Sequence, residues 1–193
     1  MTILFDHPEP ALLAHGGMLI QIKQTKAALE ALGCQVDYVR WWDETQRADI
    51  LHYFGRLPAY LLRIARAKGI KVVLGELLTG QGSRPAWQLW GQRQTMRLLR
   101  TLAPTRLTQS LRWESHRLAD ASVALTAWEA HLLHYLFAAP QEKIHIIPNG
   151  VEDVFLKSPP AQRGQWLVCT AIITERKRVL ELAQAAIQAQ TPL

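Results

Sequence analysis

ILFDHPEPALLAHGGMLIQIKQTKAALEALGCQVDYVR, residues 3–40, decides the fold class. An apolar run at Ile3–Phe5 predicts a strand. A loop carrying His15, Gly16 and Gly17 follows, and then a helix over Met18–Leu32. Ile22, Thr25, Leu29 and Leu32 recur at helical spacing on its inner face. Gly33 stands where a helix ends in a left-handed residue, which glycine adopts without steric penalty. Gln35–Arg40 is a second strand. A strand, a helix and a strand joined by short connections make a parallel α/β unit.

The same rhythm continues outward. Asp49–Phe54 (DILHYF) predicts a third strand, Pro58–Lys68 a helix closed by Gly69, and Ile70–Leu74 (IKVVL) a fourth strand. That last run is β-branched without polar alternation, the pattern of a strand buried on both faces. Between Pro85 and Ala119 two helices are expected, divided near Pro104, with Leu107, Leu111 and Leu118 as the apolar stripe of the second. Ala121–Thr126, Ala127–Phe137 and Lys143–Ile147 add strand, helix and strand, broken by Pro148-Asn149-Gly150. The fold class is therefore α/β, a Rossmann-like parallel sheet with helices on both faces over residues 1–150. Residues 151–165, holding Pro159, Pro160 and Gly164, read as a linker. The closing stretch 166–193 reads as a strand, a charged turn and an amphipathic helix, the opening of a second and truncated Rossmann-like domain.

Composition narrows the partners. The 193 residues carry a net charge of +6 and only two cysteines, Cys34 and Cys169, which lie far apart in different predicted elements. No disulfide framework or metal-ligand spacing is visible. No run approaches the ~20 apolar residues of a bilayer span, and the first residues lack the form of a signal peptide. A cytoplasmic protein is expected, with the inner face of a membrane as its other station. The G-x-G-x-x-G dinucleotide fingerprint, the P-loop and the G-x-S-x-G nucleophile elbow are all absent, which weighs against a dehydrogenase, a P-loop enzyme and a hydrolase.

Several residues are candidates for chemistry. Gly16 and Gly17 lie between the first strand and its helix, where open α/β sheets bind ligands; the same pair also suits a loop that only needs positive φ. His52, on the third strand, reads either as a satisfied core histidine or as a ligand contact. Arg93, Arg97 and Arg100 share one stripe of a helix that starts with Trp87 and Trp90, a composition found both on solvated faces and on helices lying on anionic membranes. Arg176 and Lys177 stand where a turn enters the last helix. Cations oppose the dipole there, so a diphosphate is a natural counter-charge.

HGGMLIQIKQTKAALEALGCQVDYV, ADILHYFG, GIKVVL, ADASVALTAWEAHLLHYLFAAPQEKIHIIPNGVEDVF and TAIITERKRVLELAQAAI follow one another in the order and spacing of the family 4 glycosyltransferases, which have the GT-B fold, and the chain resembles that family over nearly its whole length. The resemblance implies transfer of a sugar from a nucleotide-diphosphate sugar to a carbohydrate or lipid-linked acceptor, without metal or other cofactor and with retention of configuration. It implies an acceptor-side first domain, with Gly16 and Gly17 at a cleft, His15, His52, Glu76 and Glu129 as acceptor or cleft contacts, and Asn149 and Gly150 at the domain boundary; Glu129, which matches the family's acidic helix residue, also reads as structural. Arg176 and Lys177 would neutralise the donor diphosphate. No catalytic residue is assigned, and the 193 residues alone are expected to be inactive. Three departures stand out: the family's pair of donor-domain glutamates is missing, CTAII lacks the arginine that often follows that strand, and Gly75-Glu76-Leu77 stands where many members carry histidine. Against the enzyme stands a non-enzymatic module that binds anionic membrane or nucleic acid through residues 84–117; on the family reading no nucleic acid is expected, and membrane contact is peripheral.

Overall fold

The computed structural model describes residues 1–8, 16–104, 112–159, 164–171, 173 and 175–192, leaving aside the side chains of Thr79 and Arg176. The chain divides into two compact units, Met1–Gly150 and Val151–Leu193.

Unit one is a six-stranded sheet built from β1 (Thr2–Asp6), β2 (Gln35–Tyr38), β3 (Ile50–Tyr53), β4 (Lys71–Gly75), β5 (Ala121–Ala124) and β6 (Ile144–Ile146). Its spatial order is β2-β1-β3-β4-β5-β6, and all five pairings are parallel. Successive side chains on a strand point to opposite faces, so β1 feeds two cores at once. Ile3 and Phe5 pack with Val36 and with Ile22 of α1 (Gly17–Ala31). Leu4, in register with Leu51 and through it with Val72, packs on the other face against Leu62 and Ala65 of α2 (Ala59–Ala67). Helices therefore cover both faces, as the Rossmann-like pattern requires. Gly33 and Gly69, with φ of 83° and 77°, turn the chain out of α1 and α2 in the left-handed conformation expected of them.

A third core joins Ala124 to Leu132, Leu133, Leu136 and Phe137 of α6 (Ala127–Phe137) and to Leu89 and Met96 of α4 (Ala86–Leu102). Two short helices lie in the same connection, α3 (Thr79–Gly82) and α5 (Ser115–Leu118). The second long helix expected after Pro104 falls largely on residues 105–111, outside the described residues.

In unit two, α7 (Asp153–Lys157) occupies part of the expected linker, and α8 (Val179–Gln188) is the expected final helix. The strand expected between residues 166 and 173 is not formed among the described residues: 166–171 run without sheet partners. A parallel strand is held by bonds to its neighbours; among the described residues this run has one backbone bond, from Leu167 N–H to Pro192 O at 2.8 Å. Val168 and Ile187, the residues left short of partners by this arrangement, are 85% and 76% exposed.

Candidate functional site

Strand order reverses between β1 and β3, and the carboxyl ends of the strands at such a reversal are the place where open α/β sheets take their ligands. Asp6 ends β1. Its carboxylate accepts a hydrogen bond from the indole N–H of Trp41 at 3.1 Å, from the loop that follows β2. Burial pushes the Asp6 carboxyl up, against the opposing pull of the His7 backbone and of Trp41.

The Trp41 loop is braced. Arg40 reaches Asp37 at 2.8 Å and Asp43 at 3.0 Å, Asp43 accepts from the Thr45 backbone and hydroxyl, and Gln46 bonds both Arg40 N–H and Tyr38 O. Pairing with Arg40 and Thr45 holds Asp43 below the usual carboxylate range. All this order presents two indoles to water: Trp41 is 56% exposed and Trp42 81%. Nothing in the sequence pattern singled out Asp6 and Trp41 together, since they lie 35 residues apart; the clue available was an aspartate ending the first strand and a Trp-Trp pair just beyond the second.

Gly16 caps α1 with φ of 136°, a backbone that side-chain-bearing residues rarely adopt, and a Cβ on either Gly16 or Gly17 would meet nothing within 4 Å. Gly16 is thus fixed by conformation, and among the described residues nothing fills the space that a side chain on either glycine would take. His15 lies outside the described residues. Asn149 and Gly150 are exposed just after β6, whose extension is held by Ile147 N–H donating to Ala124 O at 2.8 Å.

His52 stacks on Phe54 with ring centroids 4.2 Å apart and meets Phe5 edge-on at 5.3 Å. The residue is half-buried, and its Nε2 is sealed with no hydrogen-bond partner among the described residues. Gly75 leaves just enough room, since a Cβ there would come within 3.2 Å of that nitrogen. Burial without a counter-charge lowers the His52 pKa to about 4. Below the ordinary value of 6.5 the unfolded chain therefore takes up a proton that the folded chain refuses, and stability falls as pH drops from 6.5 toward 4. His52→Leu is expected to remove about 2 to 3 kcal/mol of that acid sensitivity, read as the difference between wild-type and variant urea midpoints at pH 7 and pH 4.5. Equal acid loss in both proteins would show that the ring protonates freely.

Glu76 follows β4 and faces inward. Arg56 grips it with two bonds, Nε to Oε2 at 2.7 Å and Nη2 to Oε1 at 2.5 Å, and His116 reaches the same Oε2 at 2.8 Å. Burial raises the Glu76 carboxyl, but the His116 and Arg56 bonds outweigh it and the net direction is down. For His116 burial wins and the pKa falls. A neutral ring then donates from Nε2 to Glu76 and accepts at Nδ1 from the Ser122 hydroxyl, 3.2 Å away. Arg56 also lies 4.3 Å over the Phe137 ring. Glu76 is thereby committed to the protein.

Glu129 is committed in the same way. One carboxyl oxygen accepts the Leu78 N–H at 3.1 Å and the other the Leu125 N–H at 2.9 Å, while Thr126 Oγ1 caps α6 by accepting from Glu129 N–H. It ties the end of β4 to the end of β5. The T-x-x-E spacing of Thr126 and Glu129 is the sequence signature of such a cap.

In unit two, Lys177 ends a single 3₁₀ turn, Glu175–Lys177, and its side chain is exposed. Arg178 begins α8 at φ of 53° and pairs with Glu181. The Arg176 side chain lies outside the described ones.

Among the described residues no helix is long and apolar enough to cross a membrane. No curated protein matches the chain. The sequence model described as Glycosyltransferase Family 4 matches residues 26–154, about two thirds of the chain, running from α1 through all the remaining strands of the sheet. By that match and the parallel sheet that it spans, the chain belongs to glycosyltransferase family 4.

Proposed function

We propose that unit one holds the acceptor in a reaction that moves a sugar from a nucleotide-diphosphate donor to a carbohydrate or lipid-linked hydroxyl, without metal and with retention at the anomeric carbon. The observation that carries this reading is the braced Trp41 loop beside Asp6 at the carboxyl end of the sheet. A sugar presents a C–H face that packs on an indole, and hydroxyls that donate to a carboxylate; Trp41 and Asp6 supply both within one hydrogen bond of each other. The absence of side chains at Gly16 and Gly17 lets the ligand approach backbone N–H groups.

On the same reading Lys177 and Arg176 meet the donor's diphosphate, whose charge grows as the glycosidic bond breaks. The described residues of unit two form no sheet, so the 193 residues by themselves are proposed to transfer nothing; turnover of labelled nucleotide sugars by the purified chain contradicts this.

Saturation-transfer NMR against a panel of simple glycosides tests the acceptor mouth. Binding is expected from at least one of them, weakened about tenfold, or ~1.4 kcal/mol, by Trp41→Ala and by Asp6→Asn, with unfolding midpoints unchanged. A panel that finds no binder, or variants that bind as wild type, rejects the assignment.

A further inference from the structure

We infer that the outer face of α4 is a docking surface for a bilayer rich in anionic lipid. The helix is two-sided. Leu89 and Met96 are buried in the core, while Trp87, Trp90, Leu98 and Leu102 stand 72%, 59%, 58% and 72% exposed. Counted from Trp87 these four fall at i, i+3, i+11 and i+15, one row along the helix with the polar Gln94 at i+7. The row is about 22 Å long at ~1.5 Å per residue. Isolated exposed apolar residues are ordinary on a protein surface, but two exposed apolar pairs on one helix face, two tryptophans at one end and two leucines at the other with only the uncharged Gln94 between them in the row, mark a contact face.

Charge identifies the partner. From Leu77 to Trp113 the chain carries six arginines and neither aspartate nor glutamate. The structure divides these cations. Arg93 is laid over the Tyr135 ring at 4.3 Å, and Arg100 is taken by Glu114 at 2.6 Å and by the Phe137 carbonyl at 2.9 Å. Arg97 stays exposed at the edge of the apolar row with no ion pair among the described residues, and Arg84, just ahead of the helix, is exposed, its guanidinium bonding the neutral Gln92 and no acid among the described residues. The membrane-facing stripe is therefore the Trp/Leu row with Arg84 and Arg97 beside it, and not the Arg93-Arg97-Arg100 stripe that the sequence suggested.

An interfacial helix buries such a row among the acyl chains and headgroups, its arginines at the phosphates and its tryptophans at the boundary. A second copy of the chain is the poorer occupant, because a two-fold contact sets this acid-free basic surface against itself. A nucleic acid makes no use of the leucines. The inference stands without glycosyl transfer, since it uses no residue of the acceptor mouth.

Flotation of the full chain with vesicles tests it, using phosphatidylcholine alone and phosphatidylcholine mixed with an equal amount of phosphatidylglycerol. The protein is expected to float with the anionic vesicles, and about tenfold more weakly with the neutral ones. Trp87→Gln with Trp90→Gln and Leu98→Gln is expected to lower anionic binding about tenfold or more. Arg84→Gln with Arg97→Gln is expected to lower it severalfold and to flatten its salt dependence. Urea midpoints and glycoside binding should stay at wild-type values in both variants, because all the altered side chains are exposed. Failure to float with anionic vesicles overturns the inference. So does flotation of the Trp/Leu variant at wild-type strength, tighter binding of an oligonucleotide that this variant retains, or a lipid-free dimer that this variant abolishes.

Discussion

Glu129→Ala is expected to destabilise the protein by about 3 to 5 kcal/mol. The Glu129 carboxyl is the partner of two backbone N–H groups, Leu78 and Leu125, at the ends of neighbouring strands. Leu78 is fully buried and Glu129 itself only 9% exposed, so water cannot replace the lost acceptor. Each orphaned N–H costs roughly 1 to 3 kcal/mol, and the first turn of α6 loses a favourable acidic residue worth a few tenths more. Domains have only about 5 to 15 kcal/mol in total, so the variant should unfold at a much lower urea concentration with an unchanged m-value. Glu129→Gln keeps one acceptor oxygen but turns an amide NH₂ toward the second N–H, and is expected to recover less than half of the loss. A Glu129→Ala protein as stable as wild type would mean that the two N–H groups find other partners.

The second large effect belongs to Arg56 and Glu76. Their side chains are 20% and 16% exposed, and removing one partner of such a pair leaves the other charged and poorly hydrated, at about 3 to 5 kcal/mol. Glu76→Ala strands both the Arg56 guanidinium and the His116 Nε2–H. The paired change Arg56→Met with Glu76→Leu removes both charges in similar volume and should restore the part of the loss that comes from the stranded charge, leaving the roughly 1 to 3 kcal/mol cost of the orphaned His116 Nε2–H. That non-additivity, measured by a double-mutant cycle, separates the network from two independent surface charges. It also bears on function. A carboxylate already held by Arg56 and His116 has little left to offer a ligand, so Glu76→Gln is expected to move unfolding midpoints and leave glycoside affinity where it was.

The layering of unit one could be read from its sequence because each signal is local. Gly33 and Gly69 close helices where the periodicity stops, and IKVVL could only be a covered strand. What escaped has a common cause. The Arg56, Glu76, His116 and Ser122 network draws its members from four separate segments, and Asp6 meets Trp41 only because the sheet sets β1 beside β2. No periodicity encodes such meetings. The resemblance implies a cleft contact for Glu76, and no local pattern shows that Arg56 and His116 hold its carboxylate. The basic stripe of α4 was misjudged for a related reason: helical spacing showed that Arg93, Arg97 and Arg100 share a side, but not that Tyr135 and Glu114 would claim two of them. Residues 166–171 have the apolar pattern of a strand, and pattern alone cannot supply a neighbour to pair with.

The central claim is that the carboxyl ends of β1 and β2 form the acceptor mouth while the charged residues behind them serve the fold. Amide shift mapping during titration with a bound glycoside tests it most directly. The account predicts perturbations at His7, Gly16, Gly17 and Gly55 and at the indole N–H of Trp41, with Leu78, Leu125, Arg56 and His116 unmoved. Perturbations centred on the Arg56–Glu76–His116 network or along α4, with Trp41 silent, contradict it.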